Sequence, residues 1–345
     1  MFLKPLYRVA KPLITNSKIL SKFMFYFGQR FNILPKVLTI ASTYKCQCKC
    51  IHCGVSDYKK VNEKELSTDE IKNLIDQAKK IHSIVQVTFT GGETMLRKDL
   101  VELIRHSKIN GFFTKIDTNA DLLDEERLAR LKEAGLDRAG ISLDHFQEEV
   151  HDAYRKREGL FRRVIEGVRL CRDFKVSCYI QTYVTRQNLY NGDLDKTLEF
   201  SEKLNVEKIK IQGAATLGSF NNKDEVSLKH DDFIFLQEVI SKHPSAYVES
   251  EVFSPLDYKG FCRMNFKTNI HVTSYGDVVP CCWFPLSFGN IRENSLREVL
   301  NQMYRNAEFK KLLTYDGCLC SNQEVLRKYL GDGKNLPANV NNIGN

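Results

Sequence analysis

Residues 43–53 read Thr43-Tyr44-Lys45-Cys46-Gln47-Cys48-Lys49-Cys50-Ile51-His52-Cys53, directly after the apolar, β-branched run 37–43. Within this stretch Cys46, Cys50 and Cys53 have the spacing C-x3-C-x2-C. Three thiolates on one short loop can ligate three irons of a cubane [4Fe–4S] cluster, whereas a structural zinc site closes with four ligands. The stretch therefore predicts a cluster whose fourth iron is open to a small molecule.

The segment 46–53, which we call the cysteine loop, contains two more residues that could bind metal. Cys48 is interpreted as a bystander thiol, although four cysteines at this spacing could also bind zinc or form a redox pair. An alternative interpretation makes His52 a metal ligand. The chain has eleven cysteines and no cleavable signal sequence, so we expect metal binding in the cytoplasm rather than a secreted disulfide framework.

Strand-like runs alternate with helix-like runs from residue 37 to residue 212. The predicted strands are 37–43, 84–90, 113–119, 139–144, 176–184 and 206–212. The predicted helices include 100–109, 123–134, 161–173, 194–204 and one that begins after Ser67, where Glu70 completes a capping box. This alternation predicts an α/β fold with a parallel sheet, an open, partial (β/α)6 barrel of the TIM type. Such barrels carry their chemistry at the C-terminal ends of the strands.

A second motif, Thr90-Gly91-Gly92-Glu93, follows the second predicted strand. The cysteine loop and a Gly-Gly-Glu turn, each after a strand and in this order, resemble the radical S-adenosylmethionine (SAM) superfamily over roughly residues 37–215. The resemblance implies that the open iron binds the amino and carboxylate groups of SAM. Reductive cleavage would then release a 5′-deoxyadenosyl radical, which abstracts hydrogen from an organic substrate.

The resemblance also implies a set of cofactor-binding residues. Gly91, Gly92 and Glu93 would contact the SAM ammonium, although Thr94 replaces the proline that relatives usually carry next. The remaining members of the set are Thr118 and Asn119 near the ribose, Ser142 and Asp144 near the ribose and carboxylate, Arg155 on the carboxylate and His52 against the adenine. For Arg155 and the neighbouring Arg157, a solvated helix face is the alternative.

Residues 260–325 form a second cysteine-containing region, which resembles the auxiliary-cluster extension called SPASM or twitch. Its cysteines are Cys262, Cys281, Cys282, Cys318 and Cys320. A complete SPASM domain has more cysteines and two clusters, so we infer one auxiliary [4Fe–4S] cluster. Its expected ligands are Cys262, Cys281, Cys318 and Cys320, with Cys282 able to replace one of them and zinc as the rival metal.

The charge of the chain is concentrated at its beginning. Residues 1–56 carry nine Lys or Arg and no Asp or Glu, so the total of +8 leaves the remainder at −1. This distribution argues against a nucleic-acid-binding protein, which would be basic over its whole binding face. The head is also rich in aromatic residues, yet no apolar run is long enough to span a bilayer. It could lie on an anionic membrane surface or pack against the bottom of the barrel.

The sequence predicts five segments. They are a basic helical head (1–36), the barrel core (37–218), a linker with a bridging helix (219–259), an auxiliary-cluster domain (260–330) and a frayed tail (331–345). The auxiliary domain is expected to contain a β-hairpin over 269–279, which turns at Tyr275-Gly276-Asp277, and helices that include 295–306.

These features predict a radical SAM enzyme that abstracts hydrogen from an organic substrate. A flavodoxin or ferredoxin is the expected electron donor. A peptide is slightly favoured as substrate, followed closely by a lipid and by a sugar or other small metabolite. The alternatives are a non-catalytic iron–sulfur electron carrier and a zinc-binding interaction protein, and both leave Gly91, Gly92, Glu93 and Ser142 unexplained.

Overall fold

The computed structural model describes residues 36–58, 63–214, 216–221, 223–248, 267–315, 319, 322–331 and 336–342. The predicted basic head up to residue 35, and with it the predicted membrane contact, lies outside these residues. Three expected auxiliary ligands, Cys262, Cys318 and Cys320, also lie outside them, as do parts of the predicted linker and tail. Among the helices of the described ranges, none combines the length and apolarity needed to cross a membrane.

A nine-stranded sheet forms the centre of the described structure. Its strands are β1 (Lys36–Thr43), β2 (Ile84–Gly91), β3 (Phe113–Thr118), β4 (Arg138–Ser142), β5 (Ser177–Val184), β6 (Ile209–Gly213), β7 (Ala246–Val248), β8 (Asn269–Val272) and β9 (Val278–Val279). The hydrogen-bonded order is β7-β6-β5-β4-β3-β2-β1-β8-β9. Every neighbouring pair is parallel except β8 with β9. The predicted α/β fold with a parallel sheet is confirmed. A separate parallel pair joins β10 (Leu286–Ser287) to β11 (Ala338–Asn339).

Amphipathic helices connect the strands and pack on the sheet. In chain order they are α1 (Thr68–Lys79), α2 (Leu100–Ile109), α3 (Glu125–Glu133), α4 (Glu148–Arg155), α5 (Leu160–Asp173), α6 (Arg186–Tyr190), α7 (Asp193–Lys203), α8 (His230–Ser241), α9 (Leu296–Arg305), α10 (Ala307–Leu312) and α11 (Gln323–Leu330). Helix α1 illustrates the local cause. The Glu70 N–H donates to the Ser67 hydroxyl, the Ser67 N–H donates to the Glu70 carboxylate, and Ile71, Leu74 and Ala78 are buried. The predicted capping box is thus confirmed.

The predicted C-terminal hairpin extends the core sheet. Strands β8 and β9 are antiparallel, with His271 opposite Val279, and Gly276 turns between them at φ +94°. Strand β8 also lies parallel to β1, where Asn269 pairs with Val37. The sequence did not predict this second pairing, because an alternating pattern identifies a strand without identifying its partner. As a result, the part of the chain that carries Cys281 is built directly onto the first strand of the barrel.

Two strands end earlier than the sequence predicted. Strand β3 ends at Thr118 and β4 at Ser142, so Asn119 and Asp144 lie beyond the hydrogen-bonded ladder. The backbone N–H of Asn119 donates instead to the carboxylate of Glu93 at 2.8 Å. This hydrogen bond replaces the one that the Asn119 N–H would make in the sheet, so the backbone after Thr118 leaves the sheet and passes beside Glu93.

His243, which follows α8, links that helix to α7 by a pH-dependent interaction. Its Nε2 lies 2.9 Å from Oδ1 of Asp195, and its Nδ1 lies 3.1 Å from Oε2 of Glu202. Burial disfavours the charged ring, but the two carboxylates outweigh burial and raise the pKa of His243 above its usual value. The stabilisation is therefore complete below the unfolded-state pKa of about 6.5 and is lost as pH rises through the raised native value.

We expect His243→Gln to lower the free energy of unfolding by about 1 kcal/mol at pH 6 and by much less at pH 9. Urea unfolding at both pH values measures the difference. His82→Gln is a suitable control, because His82 is exposed. Equal losses at pH 6 and pH 9 would show that the charged form of His243 contributes nothing.

Candidate active site

The predicted cofactor-binding residues gather at one edge of the sheet. The cysteine loop follows β1, and the Gly-Gly-Glu turn follows β2. Parallel strands end at a common edge, so residues that are far apart in sequence meet there. The other members stand in the same region: Thr118 ends β3, Asn119 follows it, Ser142 ends β4, Asp144 lies two residues further, and Arg155 ends α4.

Backbone hydrogen bonds fix the cysteine loop to neighbouring elements. The Lys49 N–H donates to the Arg155 carbonyl at 3.2 Å, and the Ile51 N–H donates to the Tyr154 carbonyl at 2.9 Å. The loop thereby satisfies carbonyls at the C-terminal end of α4. At the other end of the loop, the carbonyl of Cys53 accepts the N–H of residue 219 at 2.9 Å.

The two glycines of the Gly-Gly-Glu turn allow a close backbone approach. Gly91 has φ +139°, and a Cβ on it would lie 2.0 Å from the Thr43 carbonyl oxygen. A Cβ on Gly92 would lie 2.5 Å from the Lys45 carbonyl oxygen. The Glu93 N–H donates to that same carbonyl of Lys45 at 2.9 Å. Glycine is therefore required because the turn packs on the backbone that enters the cysteine loop.

Glu93 is buried, with 1% of its surface exposed, and its carboxylate is held by three donors. These are the Thr118 hydroxyl at 2.8 Å, the Asn119 N–H at 2.8 Å and the Met95 N–H at 3.0 Å. Burial raises the pKa of Glu93 even though the three hydrogen bonds oppose that shift. A carboxylate has about four acceptor positions, so Glu93 retains room for one more donor.

Asp144 and Arg155 form a buried ion pair, with the Arg155 Nε 2.6 Å from Oδ2 of Asp144. Burial alone would raise the pKa of Asp144, but the guanidinium and two nearby imidazoles outweigh it and hold that pKa at about 2. The solvated helix face considered for Arg155 is therefore wrong, because only 9% of the residue is exposed. Arg157 is half-exposed and pairs with Asp121 at 3.0 Å.

The imidazole of His52 lies between Asp144 and an aromatic ring that the sequence did not identify. Its Nε2 is 3.4 Å from Oδ2 of Asp144, and the ring stacks on Tyr183 at 4.1 Å between centroids. Burial lowers the pKa of His52 to about 4, so the ring is neutral near pH 7. Nδ1 is buried and has no hydrogen-bond partner among the described residues. An unpartnered buried imidazole nitrogen fits a ligand that offers a polar atom at this point, and Nδ1 is an acceptor when the ring proton is on Nε2, the nitrogen that faces Asp144.

The thiols of the cysteine loop differ in their surroundings. Cys46 is exposed, whereas Cys50 and Cys53 are partly buried. The Cys48 thiol hydrogen-bonds to Cys46 and Cys50 and lowers the pKa of each, while burial raises the pKa of Cys53. The Asn119 amide lies 3.4 Å from the Cys48 sulfur, which gives that thiol a structural partner.

The side chains of the described residues form no site for a single metal ion. In the part of the chain that the structure describes, no three His, Cys, Asp or Glu side chains converge on a point where one ion could bind. A cubane cluster does not require such convergence, because each thiolate binds a different iron and the sulfurs stand apart. Three cysteines beside an unpartnered imidazole nitrogen and a glycine-lined turn therefore fit a three-cysteine cluster with a bound small molecule.

Two residues of the site were missed by the sequence analysis. Gln47 donates to Oδ2 of Asp121 at 3.0 Å and to Oδ1 of Asn119 at 3.3 Å, which ties the cysteine loop to the end of β3. Tyr183 carries the stacked ring. Period-two alternation along β5 could have identified Tyr183, because it shares a face with Gln181. Nothing in the sequence identifies the partner of Gln47.

The auxiliary region is described in part. Cys281 and Cys282 follow β9, and the N–H of Trp283 lies 3.4 Å from the sulfur of Cys281. A bridge between Cys281 and Phe284 closes the turn. These residues place two of the cysteines of the second region beside the N-terminal half of the chain.

Comparisons with known proteins match both halves. The family model of the radical SAM superfamily matches residues 40–201, and that of an iron–sulfur cluster-binding domain, SPASM, matches residues 262–322.

An AdoMet-dependent heme synthase from Methanosarcina barkeri is 27% identical over 310 residues, which cover 81% of this chain and 84% of that protein. A PqqA peptide cyclase from Bradyrhizobium diazoefficiens is 30% identical over 185 residues, which are 54% of this chain and 48% of the cyclase. An Fe-coproporphyrin III synthase from Methanosarcina barkeri is 36% identical over 147 residues, 43% of this chain and 36% of the synthase. The chain thus spans half or less of the latter two relatives.

Solved structures share the fold. Streptococcus suis SuiB bound to S-adenosylmethionine superimposes with a TM-score of 0.64 at 18% identity, over 84% of this chain and 71% of SuiB. The protein anSMEcpe with bound AdoMet and Kp18Cys peptide gives a TM-score of 0.63 at 20% identity, over 81% of this chain and 84% of that one. The two family-model matches, the shared fold and the three-cysteine loop all indicate the same family. The chain belongs to the radical SAM superfamily, as an enzyme that uses a [4Fe–4S] cluster and S-adenosylmethionine and carries an iron–sulfur SPASM domain.

Proposed function

We propose that Cys46, Cys50 and Cys53 ligate the cluster and that the residues around Glu93 and Arg155 hold SAM. When bound and reduced, this cofactor pair supplies a 5′-deoxyadenosyl radical for hydrogen abstraction from an organic substrate. The observation that carries the proposal is the meeting of four strand ends beside the cysteine loop. An electron carrier would have no use for a glycine-lined turn and a buried carboxylate at that position.

The chain's own residues bind and orient SAM. Glu93 has one acceptor position left for the ammonium group, and the Arg155 guanidinium has further N–H donors for the carboxylate. The Nδ1 of His52 would accept an N–H from the adenine when the ring proton is on Nε2. The ribose hydroxyls would be met by side chains at the ends of β3 and β4, namely Thr118, Asn119, Ser142 and Asp144.

A polar substrate suits the inward face of the barrel better than a lipid chain does. On β3, the partly exposed Lys115 and Asp117 alternate with the buried residues Thr114, Ile116 and Thr118. Asp117 accepts hydrogen bonds from Tyr179 and from Gln181, the latter at 3.0 Å, and pairs with Lys115 at 3.2 Å. We propose a peptide as the substrate, as the PqqA cyclase relative and the peptide-bound structural neighbours suggest.

A tetrapyrrole with carboxylate side chains is the second candidate. The heme synthase relative favours it, because that match extends over both halves of this chain and most of the relative. Tetrapyrrole carboxylates are polar, so the same barrel lining suits them. The two proposals differ in the source of the abstracted hydrogen, which is a carbon of a peptide in one case and a carbon of a tetrapyrrole in the other.

Transfer of deuterium tests both candidates. The protein is reconstituted with iron and sulfide without oxygen, then reduced with dithionite in the presence of SAM and a deuterated probe. One set of probes contains peptides, and the other contains an iron coproporphyrin deuterated in its propionates. We expect deuterium in 5′-deoxyadenosine from the peptide probes, whereas transfer from the coproporphyrin alone would favour the tetrapyrrole. If SAM is cleaved and neither set transfers deuterium, both substrate proposals are wrong.

The remaining partners are proposed from the sequence. Cys262, Cys281, Cys318 and Cys320 would ligate one auxiliary [4Fe–4S] cluster, with Cys282 as a substitute ligand. A flavodoxin or ferredoxin would deliver the electron. A cytoplasmic location and contact of residues 1–36 with a membrane remain predictions.

A further inference from the structure

The turn after Cys281 packs directly on the segment that leaves the cysteine loop. A Cβ on Gly54 would lie 2.0 Å from Cζ3 and 2.6 Å from Cε3 of Trp283, so the indole ring rests on the Gly54 backbone. Gly54 is the residue immediately after Cys53. Trp283 is the single tryptophan of the chain. The Trp283 side chain, which belongs to the SPASM half, therefore fills the space that the side chain of any residue larger than glycine would need at position 54.

A second contact joins the same two segments. The Tyr58 hydroxyl donates to the Cys282 carbonyl at 2.7 Å, and Tyr58 is almost fully buried, with 1% of its surface exposed. Its ring forms a T-shaped pair with that of Tyr44, with 5.5 Å between centroids, and the Tyr44 centroid lies 5.7 Å from that of Tyr275 in the hairpin turn. Residues before and after the cysteine loop are thus both attached to the β8–β9 hairpin and the turn that follows it. We call Gly54, Tyr58, Cys282 and Trp283 the junction.

The junction supports residues 54–58, the segment that directly follows the cysteine loop. Helix α4 holds the middle of the loop at Lys49 and Ile51, and the bond from residue 219 holds the carbonyl of Cys53. Beyond that carbonyl, the chain turns through residues 54–58 against Trp283, the Cys282 carbonyl and the backbone of Gly218, on which a Cβ would lie 3.0 Å from the Gly54 carbonyl carbon. Because Gly54 follows Cys53 directly, a shift of the Gly54 backbone would change the peptide orientation at Cys53 and with it the position from which the Cys53 side chain projects. Outer contacts of this kind orient metal ligands, and their loss typically weakens metal binding by about 10–100-fold.

We propose that Trp283 and Tyr58 are positioning residues for the N-terminal cluster, so that the turn of the SPASM half shapes the loop of the radical SAM half. The inference rests on the proposed function, because it takes Cys53 as a cluster ligand. Disturbing the junction should weaken cluster binding at the cysteine loop while all the cysteines remain. It should also move the indole, which can be observed without any metal.

The test uses the full chain and two measurements. The first is tryptophan emission of the metal-free protein, which reports on Trp283 alone. The second is iron bound per chain after oxygen-free reconstitution, together with the change that SAM causes in the electron paramagnetic resonance (EPR) spectrum of the reduced protein. The variants are Gly54→Ala, Tyr58→Phe, Trp283→Leu and Trp283→Phe. The control is Gly213→Ala, because a Cβ there meets nothing within 4 Å.

We expect red-shifted emission in Gly54→Ala, and cluster binding at the cysteine loop weakened about tenfold or more in Gly54→Ala and Trp283→Leu. Trp283→Phe should retain most of the SAM-responsive signal, because a flat ring still covers Gly54. Tyr58→Phe removes only one hydroxyl, so it tests the junction even if a larger change prevents folding. The amount of cluster that responds to SAM should fall in Tyr58→Phe. It should not fall in Gly213→Ala.

Two results would overturn the proposal. One is unchanged emission in Gly54→Ala, which would mean that the ring does not rest on Gly54. The other is full iron and an undiminished SAM response in Trp283→Leu and Tyr58→Phe. If the wild-type protein binds iron but its EPR spectrum never responds to SAM, the proposed function is contradicted instead. In that case the iron content of the variants, compared with that of the wild type, would still test the role of the junction.

Discussion

Replacing Cys46, Cys50 and Cys53 together by alanine is expected to abolish SAM cleavage and to leave about half of the iron. The reasoning is that two cubanes hold roughly eight irons per chain, and the triple variant retains only the auxiliary one. The measurements are iron and sulfide content after oxygen-free reconstitution and 5′-deoxyadenosine formed with dithionite.

The matched control for the triple variant is Cys171→Ala. Cys171 is fully buried in α5 and has no place in the proposed cluster, so this variant should keep its iron and its SAM cleavage. Cleavage that persists in the triple variant would mean that the cluster is held elsewhere. Loss of all iron would mean that the auxiliary site depends on the cysteine loop.

Arg155→Met is expected to lower the free energy of unfolding by about 3–5 kcal/mol at pH 7 and to abolish SAM binding. The substitution leaves the Asp144 carboxylate buried without its guanidinium, which is the costly way to break a buried ion pair. The paired Asp144 has a pKa of about 2, below the usual value of about 3.9. Its stabilisation is therefore present above pH 4 and is lost as pH falls towards 2. Urea unfolding and equilibrium dialysis with labelled SAM measure the two effects.

The double variant Asp144→Asn with Arg155→Met separates stability from binding. Removing both charges should recover most of the lost stability, because no unpaired charge remains buried. SAM binding should stay lost, because the guanidinium that would meet the carboxylate is absent. Arg155→Lys keeps a charge but not the planar fork, so it should bind SAM weakly. An Arg155→Met protein as stable as wild type would show that the ion pair adds nothing to the fold.

The parallel sheet could be predicted from sequence because its information is local. Each strand-like run is followed by an amphipathic helix, and only right-handed crossovers build a sheet from that order. The cysteine loop and the Gly-Gly-Glu turn fall at strand ends, which is where a parallel sheet gathers its functional residues. The meeting of the proposed site residues at one edge of the sheet therefore followed from the pattern, with errors of one or two residues at the ends of β3 and β4.

The features that sequence could not predict depend on distant partners. The residues of α4 are largely charged and suggest an exposed helix, yet Arg155 is buried because Asp144 offers it a carboxylate. The pairing of β8 with β1 joins segments more than 200 residues apart. The contact of Trp283 with Gly54 depends on that pairing, because β8 and β9 lead to the Cys281 turn. A single sequence does not indicate which distant residue will supply a charge, a strand or a ring.

The most direct test of the central assignment is EPR of the oxygen-free, reduced protein with and without SAM, in the wild type and in the triple cysteine variant. A cluster held by Cys46, Cys50 and Cys53 has an iron that SAM can chelate, so we predict that SAM alters the wild-type spectrum. The triple variant should keep the signal of the auxiliary cluster and show no response. A wild-type spectrum that SAM leaves unchanged, or a response that survives loss of the three cysteines, would contradict the assignment.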